Sequence, residues 1–178
     1  MIWLSSSTIA RLRDQLRARG QRPSMAIAPG GNMSPEAAEL LGVTAEYGPI
    51  CEGMYLMMSA DGKVSHDERD VLKGALRNLS NDTVRSVHIE AMLDQAAKHV
   101  AEQGRDARLR EVISRLQEDP ARAEVAFVLA AAVAFADNAI ADEENETLNA
   151  FAEGLGIDES RANELLDSVE ADLADRPA

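Results

Sequence analysis

The sequence has one cysteine, few aromatic residues and no hydrophobic run long enough to cross a bilayer. Cys51 alone cannot form an internal disulfide or a multi-cysteine zinc site, and it indicates a reducing compartment. The longest apolar run, residues 125–136, is shorter than the roughly 20 residues that a spanning helix needs. The apolar stretch at the start is too short for a signal peptide. We therefore expect a cytoplasmic protein.

Positive charge is scarce and unevenly placed. The formal net charge is −13, but residues 1–33 hold five Arg and one Asp, so the rest of the chain carries −17. Nucleic-acid binding needs a basic surface that displaces counterions, so we expect no nucleic-acid partner. An acidic body suits divalent cations or basic protein surfaces. Since neither a Gly-rich phosphate loop nor a Ser-His-Asp arrangement is found, we expect no enzymatic activity.

Helix-forming residues dominate the remainder. Alanine and leucine are frequent, aromatics are 3%, and no stretch alternates polar and apolar residues with a period of two. These features predict an all-α helical bundle. Residues 1–33 are expected to form a basic arm and linker, and residues 34–178 the helical domain. The arm helix could lie on an anionic membrane through residues 1–19, at the inner membrane face, or dock on its own acidic body or on that of a neighbouring molecule.

Local signals predict most helix boundaries. Gly42 should end a short helix and Pro49 should open the next one. Asp82, Asp119 and Asp158 should each cap the helix that follows, because Asp accepts hydrogen bonds from the first-turn amides.

A repeat relates two loops 76 residues apart. "ADGKVSHDE" begins at Ala60 and "ADNAIADEE" at Ala136, and leucines recur in the helix that follows each loop. We therefore predict two helix–loop–helix units of one design.

The loops resemble half of a calcium loop, but their spacing does not match. With Gly62 at position 6 of an EF-hand loop, position 1 falls on apolar Met57, and on Val133 in the second copy. Ser65 and Glu68 instead predict a capping box, and Val64 is expected to fill the core from the loop.

A metal site remains an alternative to plain helix corners. Two aspartates follow the C-terminal ends of helices, where a carboxylate is unfavourable and capping does not explain it. If the loops meet, four carboxylates would gather and could hold Ca²⁺ or Mg²⁺. The candidate ligands are Asp61, Glu68, Asp137 and Glu144.

The doubled motif resembles that of the TerB-like tellurite-resistance family, over about residues 45–165. The resemblance implies an all-helical bundle in a bacterial stress response, including tellurite resistance and phage defence. It also implies that the protein acts together with membrane-associated and calcium-binding partners of the Ter system, and that the four acidic residues are metal ligands. Asn138 departs from the pattern, which has glycine there; asparagine tolerates the left-handed turn. A metal-free adaptor whose acidic face binds a basic protein surface is the alternative function.

Overall fold

The computed structural model describes residues 6–18, 34–136 and 142–175. These residues form helices and connecting turns, with no strand among them, so the all-α prediction is confirmed. The helices are α1 (Ser6–Ala18), α2 (Pro35–Met58), α3 (His66–Leu79), α4 (Ser86–Gln103), α5 (Arg105–Gln117), α6 (Pro120–Ala134), α7 (Asp142–Gly154) and α8 (Glu159–Ala174).

Two helices form the centre of the bundle. The second half of α2 and nearly all of α6 are buried, and they pack against each other. Both are apolar around most of their circumference, as expected for helices surrounded by others. Each leads into one of the acidic loops. These loops, residues 59–65 and 137–141, are called here the first and second corner.

The helix that follows each corner packs against both central helices. α3 packs against α2 and α6, and α7 packs against α6 and α2. Gly53 allows the close contact between α2 and α7, because a Cβ at this position would lie 3.1 Å from Cζ of the buried Phe151. In the same way α1 lies on α3 and α6, while α5 lies on α7 and α2. The arm helix therefore packs as a member of the bundle.

The predicted break within α2 is wrong. The helix runs through Gly42 and Pro49 without ending. Pro49 has no N–H, so the carbonyl of Ala45 loses its helical hydrogen bond. Ala45 is exposed, so solvent can reach that carbonyl. A proline also crowds the Cβ of the preceding residue, and Gly48 has none. Continuing the helix buries the apolar stretch that follows, which outweighs the local signals.

Asp82 does not cap α4. Asn81 and Asp82 both adopt left-handed backbone angles, with φ of 56° and 60°, and α4 begins only at Ser86. The Asp82 carboxylate instead accepts a hydrogen bond from Arg77 Nε at 2.9 Å. Asn and Asp adopt this conformation more easily than other side chains, so the chain turns here rather than starting a helix.

The other predicted caps are confirmed. Asp119 accepts from the amide of Arg122 at 3.4 Å, and Asp158 accepts from the amide of Arg161 at 2.9 Å. Val64, in contrast, is 41% exposed and does not fill the core as expected. The turn at Gly62, with φ of 77°, directs it to solvent.

Candidate functional site

The first corner is held by its own backbone and side chains. Ser65 Oγ accepts from the amide of Glu68 at 3.1 Å, while the amide of Ser65 donates to Glu68 Oε2 at 2.7 Å. This is the predicted capping box. Asp61 Oδ1 accepts from the amide of Lys63 at 2.8 Å, which stabilises the turn at Gly62. Asp61 thus has a structural role that capping did not explain.

The second corner lies outside the described residues, and Asp137 with it. Glu144, however, is described, and it is buried to nearly the same degree as Glu68, at 5% and 4% exposed. Both are the third residue of their helix, the position from which a glutamate can reach back to the cap. Among residues 6–18, 34–136 and 142–175, no group of three His, Cys, Asp or Glu side chains is arranged to hold a metal ion.

Arg105 ties the two corner regions together. Its Nη2 donates to the carbonyl of Leu56 at 3.0 Å and to Thr147 Oγ1 at 2.7 Å. Leu56 belongs to the last turn of α2, before the first corner, and Thr147 lies one turn into α7, after the second. Burial lowers the pKa of Arg105, partly opposed by the charge of Asp106. One guanidinium therefore joins the last turn of α2, before the first corner, to the second turn of α7, after the second corner.

A buried ion pair lies deeper in the bundle. Arg108 donates from Nε to Glu52 Oε1 at 2.7 Å and from Nη2 to Glu52 Oε2 at 2.9 Å. Gln103 accepts from Arg108 Nη1, and His99 Nδ1 lies 3.6 Å from Glu52 Oε1. The hydrogen bonds that Arg108 donates to Glu52 raise the pKa of Arg108, while burial opposes them. This bidentate pair joins α2, α4 and α5.

The apolar face of α1 is buried against the bundle. Ile9, Leu12 and Leu16 are at most 9% exposed. Arg13 donates to the carbonyls of Asn78 and Leu79 at the end of α3, the latter at 3.4 Å. Since cations are favoured at a helix C-terminus, a basic side chain suits this position. In the structure, α1 docks on the acidic body of its own chain, which is one of the placements predicted for the arm.

Glu124 connects the arm to the rest of the chain. It accepts from Gln15 of α1 at 2.9 Å, and from Arg161 of α8 at 2.8 and 2.9 Å. The hydrogen bonds from Arg161 are the main cause of a lowered pKa for Glu124, with help from Gln15 and the charge of Arg11, while burial opposes them. The same carboxylate and Glu164 raise the pKa of Arg161.

The family model for the tellurite resistance protein TerB matches residues 50–171. This is more than half of the chain. The chain belongs to the TerB family. No curated protein and no solved structure matches it. The matched region starts in the buried half of α2 and ends in α8, so α1 lies outside it.

Sequence reasoning missed the ion pair within the TerB region. Glu52 and Arg108 are 56 residues apart, and neither belongs to a motif. A lone glutamate in the apolar part of α2 was the one available signal, because buried charges need partners. Neighbouring Cys51 is a buried thiol. Burial and the charge of Glu52 raise its pKa to about 12, so it is protonated at neutral pH.

The negative charge of this TerB chain is concentrated at its C-terminal end. Between residues 142 and 175 there are twelve Asp or Glu and one basic residue, Arg161. We call these residues the acidic segment. Arg161 is engaged by Glu124 and Glu164, so it offers little positive charge to a ligand. Ten of the acidic side chains are exposed: Asp142, Glu143, Glu146, Glu153, Asp158, Glu159, Glu164, Asp167, Glu170 and Asp175.

No helix in the described part of the TerB chain has both the length and the apolar character needed to cross a membrane.

Proposed function

We propose that this TerB chain is a non-enzymatic stress-response module that docks a basic protein surface on its acidic segment. The observation that carries the proposal is the charge of residues 142–175, where twelve acidic residues face one already paired arginine. Such a surface steers a basic partner towards it and rejects acidic ones. The protein would act in the cytoplasm, with the Ter-system partners that the family resemblance implies.

The chain's own arm supports this reading. α1 carries Arg11, Arg13 and Arg17, and it touches α8 where Arg11 Nη2 donates to Ser168 Oγ at 3.2 Å. A basic helix that packs on α3 and α6 therefore already contacts the acidic segment, at Ser168. Cys51 does not act as a nucleophile in this proposal, because its thiol is buried and has a pKa of about 12.

Crosslinking from two faces would test the docking surface. A photoreactive residue at Asn163 of α8 should capture a basic protein in cells, whereas one at Ala101 of α4 should not. Both positions are exposed and neutral, so neither change alters the charge. Equal capture from both faces, or captured proteins without a basic surface, would contradict the proposal.

Charge reversal then shows whether the acidic side chains cause the capture. Glu159→Lys with Glu170→Lys should abolish capture from α8, because the substitutions replace attraction by repulsion. The matched pair Asp94→Lys with Glu102→Lys makes the same charge change on exposed positions of α4 and should leave capture intact. Capture should also weaken as salt is raised.

A divalent cation at the two corners is the second candidate. It is favoured by Arg105, which brings the end of α2 and the start of α7 within reach of one nitrogen atom. The described residues fit a cation in part. Asp61 is exposed and one of its oxygens makes the turn, while Glu68 binds the backbone through Oε2. Ca²⁺ or Mg²⁺ would add charge neutralisation between Asp61, Glu68, Asp137 and Glu144.

Titration with Ca²⁺ and Mg²⁺ tests this candidate. Calorimetry should show binding that Asp61→Asn with Asp137→Asn removes. Asparagine keeps the oxygen that accepts from Lys63, so the first corner should stay folded. The control pair, Asp67→Asn with Glu143→Gln, removes two exposed acids of the helix starts and should still bind. Identical binding by both pairs would exclude a site at the corners.

Peripheral membrane contact through residues 1–19 would require α1 to leave the bundle. Its apolar residues Ile9, Leu12 and Leu16 are the side chains that would enter a membrane, and in the docked arm they are buried.

A further inference from the structure

The surface beneath α1 has the properties of a helix-binding groove. α1 contacts it through residues at positions i, i+3 and i+7, namely Ile9, Leu12 and Leu16, all buried. Its other side, at Ala10 and Asp14, is exposed. This spacing of anchors is the usual way in which an amphipathic helix lies in a groove of another protein.

Polar groups of the groove favour a basic helix. The C-terminal carbonyls of α3 accept from Arg13, and Ser168 of α8 accepts from Arg11. Glu124 adds a carboxylate beside the arm; its pKa is lowered chiefly by Arg161, and to a smaller extent by Gln15 and the charge of Arg11. A neutral or acidic helix with the same apolar spacing would lose these interactions, because the carbonyls at the end of α3 and the carboxylate attract cations.

The helices that form the groove begin within the TerB match, whereas α1, which occupies the groove, lies outside it. α3, α6 and α8 all contribute to the groove and all begin within the TerB match over residues 50–171. α1 lies outside that match, and residues 19–33 separate it from α2. The contacts of α6 with α3 and α8 do not involve α1, so they would persist if another helix of the same chemistry took its place.

We propose that the groove formed by α3, α6 and α8 binds a basic amphipathic helix of a partner protein, and that α1 is its intramolecular competitor. The inference rests on the proposed docking of a basic partner and names the part of that partner that binds. A tethered helix acts at a high effective concentration, so the native chain binds an incoming helix weakly until α1 is displaced.

The arm itself supplies a probe. A fluorescent peptide of residues 1–19 should bind the full-length Leu12→Asp chain at least about 10-fold more tightly than the native chain, because the tethered competitor has been removed. Ala10→Asp introduces the same residue on the exposed side of α1 and should behave as native. A peptide carrying Leu12→Asp should not bind. Equal affinity for all three chains, or no binding to a folded Leu12→Asp chain, would overturn the proposal.

A measurement on the native chain covers the case in which Leu12→Asp fails to fold. Excess unlabelled peptide should shift the amide signals of residues 6–18 in the ¹⁵N-labelled chain away from their docked positions; unchanged signals overturn the proposal. If anionic vesicles release the arm and the peptide does not, the arm is a membrane anchor and the proposal also fails. Capture from Asn163 would still succeed in either case, so failure of the groove and failure of the docking proposal are distinguishable.

Discussion

Gly42 and Gly154 are both helical glycines, and the structure predicts opposite effects of adding a methyl group at them. A Cβ at Gly154 would lie 2.6 Å from Ile113 Cδ1 and 3.1 Å from its Cγ2, where α7 meets α5. Ile113 is β-branched and cannot easily rotate away. We expect Gly154→Ala to lower the free energy of unfolding by about 1–3 kcal/mol, as overpacking usually does.

The matched control is Gly42→Ala in α2. A Cβ there would have no atom within 4 Å, so the substitution should raise the free energy of unfolding by about 0.5–1 kcal/mol through helix propensity alone. Urea denaturation measures both. Equal changes in the two variants would show that α5 and α7 do not approach as closely as the structure has them.

Glu52 and Arg108 form a pair in which each charge depends on the other. Glu52→Gln leaves a buried guanidinium without its anion, and we expect a loss of about 3–5 kcal/mol in the free energy of unfolding. Arg108→Met should cost a similar amount by orphaning the carboxylate. The double variant Glu52→Gln with Arg108→Met should lose clearly less than the sum of the two single changes. Simple additivity in this double-mutant cycle would contradict the pairing.

At the scale of helices, most of the predictions that depend on local signals are correct, with the cap at Asp82 an exception, while those that depend on distant packing are wrong or missing. The caps at Ser65, Asp119 and Asp158 are correct because each hydrogen bond spans three residues. The break predicted at Pro49 is wrong because burial of the second half of α2 is set by α6, which follows some 70 residues later. The corners could be recognised as a motif. The link that Arg105 makes between α2 and α7 could not be predicted, since no sequence pattern connects Arg105 with Leu56 or Thr147.

The contact between α1, α6 and α8 should depend on pH through Glu124. Its pKa is lowered in the folded chain, chiefly by Arg161, so its interactions are fully present above the unfolded value of about 4.3. They are lost as the pH falls through the lower folded value. We expect the stability of the native chain to fall more steeply below about pH 4 than that of Glu124→Gln, which cannot titrate there.

The control for this pH profile is Glu153→Gln, which removes an exposed carboxylate from α7 and should keep the native slope. Thermal melts between pH 3 and 7 give the comparison. If the Glu124→Gln profile parallels the native one, Glu124 does not hold the arm by its charge. NMR signals of residues 6–18 then report directly whether α1 leaves at low pH.

For the molecule as a whole, the net charge of −13 destabilises the folded state through repulsion, which salt screens. Most of it belongs to residues 142–175, whose exposed carboxylates repel one another. The screening length falls from about 10 Å at 0.1 M salt to about 3 Å at 1 M. We therefore expect the midpoint of thermal unfolding to rise with NaCl. The triple variant Glu159→Gln, Asp167→Asn, Glu170→Gln should have a higher midpoint at low salt and a smaller rise with NaCl.

The sign of the charge provides the control for this salt effect, and the same melts separate screening from cation binding. Lys63→Gln removes one exposed positive charge, so its gain from NaCl should be at least as large as that of the native chain.

At equal ionic strength, a site at the corners predicts extra stabilisation by Ca²⁺ or Mg²⁺ over NaCl. That excess should persist in the triple variant, because α8 supplies none of Asp61, Glu68, Asp137 and Glu144, and it should vanish in Asp61→Asn with Asp137→Asn. An excess that follows the α8 carboxylates instead would mean that divalent ions only screen the acidic segment.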